Sequence, residues 1–146
     1  MHRAGAPPYP DRVSTRTNLS SESVYEPEVG YSRAVRTGPL IAVAGTTGHG
    51  DDITEQTRNA LRRIESALRD LGAAMSDVIR TRIFVTDISQ WREVGAVHAE
   101  FFGGIRPAAT MVEVAALIEP GLLVEIEAEA YVEGPNAGNA PSGPGG

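Results

Sequence analysis

Gly104 to Val132 reads G-I-R-P-A-A-T-M-V-E-V-A-A-L-I-E-P-G-L-L-V-E-I-E-A-E-A-Y-V. Its alternation predicts two strands. Strand side chains point to opposite faces in turn. Thr110, Val112, Val114 and Ala116 therefore share one face of the first strand, and Val124, Ile126, Ala128 and Val132 one face of the second. Glu113, Glu125, Glu127 and Glu129 point the other way. Pro120-Gly121 supplies a turn, because proline presets its φ and glycine accepts a positive one. The expectation is an antiparallel ribbon closed by that turn. Glu127 and Glu129 read as a solvated face, whereas Glu125, nearest the turn, is placed to meet Arg106, Pro107 and Thr110 in a cleft. A carboxylate there can orient or deprotonate water.

Outward from the ribbon, Tyr31 to Arg36 and Leu40 to Ala44 flank Thr37-Gly38-Pro39 and predict a hairpin. A helix follows. Asp52 and Glu55 form a capping box, Ile53, Ala60, Leu61, Ile64, Ala67, Leu68 and Leu71 keep one apolar face, and Gly72 closes the end. Val78 to Thr86 predicts a strand with Thr81, Ile83 and Val85 on one side. A second helix, capped by Asp87 or Ser89, carries Trp91, Val94, Val97, His98 and Phe101 at helical spacing. The order is ββαβαββ, an α+β fold. A strand–helix–strand crossover forces at least one parallel pair, and both helices should cover one sheet face. The other face mixes Met111, Leu117, Leu123 and Tyr131 with charge, which a symmetric oligomer would bury.

The chain of 146 residues suits one domain. Residues 1–28, rich in Pro, Ser, Thr and charge, read as an extended or flexible N-terminal arm, 29–133 as the folded domain and 134–146 as a disordered tail. With 41% hydrophobic but only 5% aromatic residues, the core must be aliphatic. Cysteine is absent, which excludes thiol catalysis and Cys-ligated zinc, and all 13 basic residues are arginine, which excludes a lysine Schiff base. A net charge of −6 argues against a nucleic-acid partner. No apolar run is long enough to span a membrane, and the N-terminus lacks a signal-peptide core, so a cytoplasmic protein with no membrane partner is expected. His2, His49 and His98 lack the spacing of a helical metal site, and no metal or other cofactor is expected. Gly45-Thr46-Thr47-Gly48-His49-Gly50 lacks the lysine and spacing of a phosphate loop and reads as a connector or a ligand-lining turn.

Seven blocks in order carry a family resemblance: Gly30 to Ser32 (GYS), Val43 to Thr47 (VAGTT), Glu55 to Leu61 (EQTRNAL), Arg82 to Asp87 (RIFVTD), Phe101-Phe102, Arg106 to Thr110 (RPAAT) and Val124 to Ala128 (VEIEA). In these the chain resembles the RidA/YjgF family of reactive-intermediate deaminases. The resemblance implies a chorismate-mutase-like fold, a homotrimer with a central barrel, and a small-molecule ligand in each intersubunit cleft. It places the family's water-positioning glutamate on Glu125 and its first-strand tyrosine on Tyr31. Gly45, Thr46, Thr110 and Met111 join them as ligand-binding candidates. In the family's P-A-R-S motif an arginine clamps the substrate carboxylate, and Ala109 stands there instead. An asparagine and a tyrosine of the second helix are replaced by Gly95 and His98.

A bidentate arginine–carboxylate contact is worth on the order of 1.5–3 kcal/mol, and alanine supplies none of it. Efficient hydrolysis of imines such as 2-iminopropionate is therefore not expected. Arg106 is a replacement cation nearby, although a residue before proline is held extended. Two readings remain open: a cofactor-independent hydrolase or deaminase of a small imine, enamine or related metabolite, with Glu125 catalytic, or a non-catalytic trimer binding a metabolite in the same cleft. Endoribonuclease activity ranks third on charge.

Overall fold

The computed structural model describes residues 15–134. Six strands form one sheet: β1 (Arg16–Leu19), β2 (Ala34–Thr37), β3 (Leu40–Thr46), β4 (Val78–Val85), β5 (Ala108–Glu113) and β6 (Val124–Tyr131). Three helices accompany them: α1 (Tyr25–Val29), α2 (Ile53–Asp70) and α3 (Trp91–Phe102). The spatial order is β1-β2-β3-β6-β4-β5. Among the described residues only β4 and β5, joined through α3, run parallel. From β2 onward the order is the expected ββαβαββ. The stretch read as an arm nevertheless contributes β1, paired antiparallel with β2, and most of α1. A four-residue strand is too short to show a period against its polar neighbours. Residues 1–14 and 135–146, with the ends expected of them, lie outside the described residues.

The ribbon is the main correction. β5 and β6 do not pair; β4 lies between them, parallel to β5 and antiparallel to β6. The turn itself forms, with Gly121 at φ 90° and Leu122 N–H donating to Glu119 O at 3.3 Å. It sits inside a connection spanning residues 114–123, which readily crosses the roughly 10 Å of two interstrand spacings. Local turn chemistry gave the reversal, and the missing middle strand came from elsewhere in the chain.

That placement also inverts β5. Met111 lies opposite Ile83 and packs on the core, whereas Val112 is 42% exposed. α2 matches its expected face, with Ala60, Leu61, Ile64 and Leu68 wholly buried. Asp52 accepts from Glu55 N–H at 2.8 Å, and Glu55 accepts from Asp51 N–H at 2.8 Å, one residue earlier than in a regular capping box. Gly72, at φ 84°, ends the helix with Ala73 N–H reaching Leu68 O at 2.8 Å, a Schellman closure. On α3, Val94, Val97 and Phe102 are buried; Phe101 is only half-buried, and Trp91 is 47% exposed beneath the Arg92 guanidinium, 4.5 Å from its ring. Asp87 caps a single 3-10 turn, Ile88–Gln90, ahead of α3.

Both long helices cover one sheet face. The other face is open and crossed by Arg80–Glu129, Arg82–Glu127 and Arg82–Glu129 ion pairs at 3.3, 3.6 and 3.4 Å.

Candidate functional site

A bulge builds the site. The β3–β6 register shifts between Val43 and Thr46, which lifts Gly45 out of the regular ladder beside Glu125. A Cβ on Gly45 would lie 2.9 Å from Glu125 Cδ and closer still to its carboxylate oxygen. Only the missing side chain admits the carboxylate here. Glu125 and Gly45 line a cavity of about 520 Å³ together with Tyr25, Tyr31, Arg33 and Leu122. Thr47 and His49 complete its wall from the loop after β3. That loop is pinned to α2, because Arg63 donates to Thr47 O and Asn59 to His49 O, each at 2.7 Å.

Arg33 enters the cavity wall from just before β2. It is 7% exposed, donates from Nη2 to Gly45 O at 2.5 Å, and holds its guanidinium carbon 6.0 Å from the Tyr31 ring centroid. Burial pulls the Arg33 pKa below its ordinary value, helped by repulsion from Arg63 and opposed by Tyr31, Glu26 and Glu125. The same burial pushes the Glu125 carboxyl above the usual glutamate value, with Arg33 pulling it down and Glu127 pushing it up. On the rim, Tyr25 donates its hydroxyl to Glu119 at 2.6 Å, which together with burial holds the phenol above its ordinary pKa.

The residues expected to act together are divided within the chain. Tyr31, Gly45 and Glu125 meet in the cavity. Thr46 does not reach it: its side chain is buried and donates to Ala44 O at 2.7 Å, and the next residue, Thr47, lines the wall instead. Arg106 and Ala109 border a second hollow of about 420 Å³ against α3, with His98 and Phe102. Glu125 is in register with Phe84, which pairs with Val112, four places along β5 from Ala108. The anticipated meeting of Glu125 with Arg106, Pro107 and Thr110 therefore does not occur in one chain. Thr110 faces the open side opposite Arg82, and Met111 faces the core. Alternation sets Ala109 on the helix side and Glu125 on the open side of the sheet.

Arg106 is not extended either. Its φ is 59°, and its N–H donates to Phe102 O at 2.8 Å, so a tight reversal out of α3 overrides the preference imposed by Pro107. His98 is a packed residue: Nε2 lies 2.9 Å from the Thr81 hydroxyl, the ring meets Phe102 at 4.7 Å, and burial lowers its pKa. Among the described residues no group of three or more His, Asp or Glu side chains is arranged to hold a metal. No helix among them is long and apolar enough to cross a membrane. Arg33 was not singled out in the sequence, where it is one arginine among 13 with no motif to mark it.

Known proteins place the chain. Residues 21–132 match the family model described as endoribonuclease L-PSP. A RutC family protein of Pyrococcus abyssi is 34% identical over 123 residues, covering 79% of this chain and 96% of that one. The solved structure of a Mycobacterium tuberculosis member of the YjgF/YER057c/UK114 family is 71% identical, covers 80% of this chain and 99% of its own, and superposes with a TM-score of 0.79. A Neisseria meningitidis member of the YjgF family is 26% identical over 82% of this chain and 96% of its own, with a TM-score of 0.72. The fold, the ordered motifs and these matches agree that this chain belongs to the RidA/YjgF family.

Proposed function

We propose that the protein is a cofactor-independent hydrolase of a small imine or enamine, assembled as a homotrimer, with Glu125 as general base. The observation that carries this reading is the Glu125 carboxylate seated against Gly45 in a half-enclosed cavity, its pKa raised by burial. A raised pKa brings a carboxylate nearer the operating pH and improves it as a proton acceptor. Glu125 takes one proton from water as the oxygen adds to the imine carbon and passes it to nitrogen, giving a carbinolamine. It then takes the hydroxyl proton and passes that to nitrogen as the C–N bond breaks, so ammonia leaves with both of water's hydrogens and the carbonyl keeps its oxygen. An enamine is first protonated at carbon to the imine. Atoms balance with water alone.

A second reading, a metabolite-binding trimer without catalysis, is favoured by Ala109 standing where the resemblance expects the clamping arginine. Ribonuclease activity belongs to the description of the family model; here the net charge of −6 disfavours an RNA ligand. The deciding experiment generates imines in situ from amino acids with an amino-acid oxidase and follows ammonia release. Catalysis lost in Glu125→Gln with folding intact supports the hydrolase. Metabolite binding without turnover for any imine supports the second reading.

A further inference from the structure

Burying an arginine is costly unless its donors are met. Arg33 is 7% exposed, yet its Nε has no hydrogen-bond partner. Among the described residues no carboxylate lies within ion-pair distance of it. Glu26, the buried acid in its neighbourhood, is occupied by the backbone N–H and hydroxyl of Ser21. The contact to Gly45 O fixes the guanidinium in the cavity wall without neutralising it. A buried cation held in place, un-neutralised and lining a cavity is the arrangement expected of an anion receptor; Nε itself is shielded, so the contact falls to the rest of the guanidinium.

We propose that Arg33 binds the carboxylate of the ligand and so replaces the clamp that Ala109 cannot provide. The proposal rests on the Glu125 cavity being the site, and what it adds is the residue that holds the anion: a small monocarboxylate seated on Arg33 presents its reacting carbon to Glu125. Carboxylate matches the planar fork of guanidinium better than a single point acceptor does. Glu125 and Glu119 line the same cavity, so a dianion such as phosphate would meet repulsion that a monoanion largely escapes.

Titration calorimetry with propionate and its neutral isostere propionamide tests this on the full chain. Wild type should prefer propionate by about tenfold or more, as a charge-assisted pair implies. Arg33→Gln should abolish the preference, Arg33→Lys should retain part of it, and Glu125→Gln should keep it. Equal affinity for the two probes, no propionate binding, or an undiminished preference in Arg33→Gln would overturn the assignment. If Arg33→Gln does not fold, the wild-type Arg33 guanidinium N–H resonances decide: propionate should shift them and propionamide should not, and unmoved signals are as damaging as equal affinity. Propionate preference without imine turnover would remove the hydrolase reading and leave Arg33 as receptor. Turnover without the preference would do the reverse.

Discussion

A carboxylate kept in a half-buried cavity destabilises the fold that holds it, and Glu125 makes this measurable. Desolvation raises its folded pKa above the unfolded value despite the attraction of Arg33. The folded state then binds protons more readily than the unfolded chain, so stability falls as pH rises from the unfolded pKa through the folded one. Glu125→Gln, which has no charge to desolvate, should melt higher than wild type at neutral pH. The gap should close below about pH 4, where both states of the wild type are protonated. Thermal melts across pH check it, and a gap that widens on acidification would contradict the assigned burial. Gly45→Ala should displace the carboxylate and cut turnover while changing the melting temperature little, because the colliding atoms belong to one movable side chain. Alternation grouped Glu125 with Glu113, Glu127 and Glu129, and only the family motif set it apart, because the cleft expected with Arg106 and Thr110 does not form within a chain. Arg33 was not legible in the sequence: Tyr31 stands two residues before it, but Gly45 and the loop after β3, which complete its surroundings, come from a separate strand and connection.

Elements were read well where one periodicity settled them and poorly where pairing did. α2 kept its whole apolar face and both ends, since caps and the 3.6-residue period are local. β5 and β6 were each found, but the partner between them, β4, is fixed by packing rather than by the turn. What holds the 114–123 connection was also hidden. Gln56, on the buried face of α2, donates to Gly50 O at 3.1 Å and Gly121 O at 2.9 Å, and accepts from Leu123 N–H at 2.8 Å. A polar residue in an apolar stripe reads as an interruption until its partners are seen. Gln56→Ala should cost about 3 kcal/mol, at roughly 1 kcal/mol for each of the three bonds. It should also weaken ligand binding, because Leu122 in this connection lines the cavity. Chemical denaturation and calorimetry on the variant separate the two effects.

At the scale of the molecule, the helices seal one side of the sheet and leave the other open. The open side carries Leu40, Val112 and Tyr131 at 45%, 42% and 44% exposure around the arginine–glutamate ladder. Such a face is apolar enough to associate and charged enough to do so in one register. A threefold assembly through it would let the Ala109 side of one subunit approach the Glu125 cavity of another, which the two cannot do within a chain. Val112 tests this directly, because it stands on edge strand β5 and contributes nothing to the core. If the protein assembles through this face as proposed, Val112→Asp should turn the trimer into a monomer at micromolar concentration by multi-angle light scattering, with far-UV circular dichroism unchanged. Turnover should fall with the trimer if the cleft spans subunits, and survive if one chain's cavity suffices. A variant that remains trimeric would move the interface off this face, and native protein that scatters as a monomer would confine the chemistry to the cavity of Glu125 and Arg33.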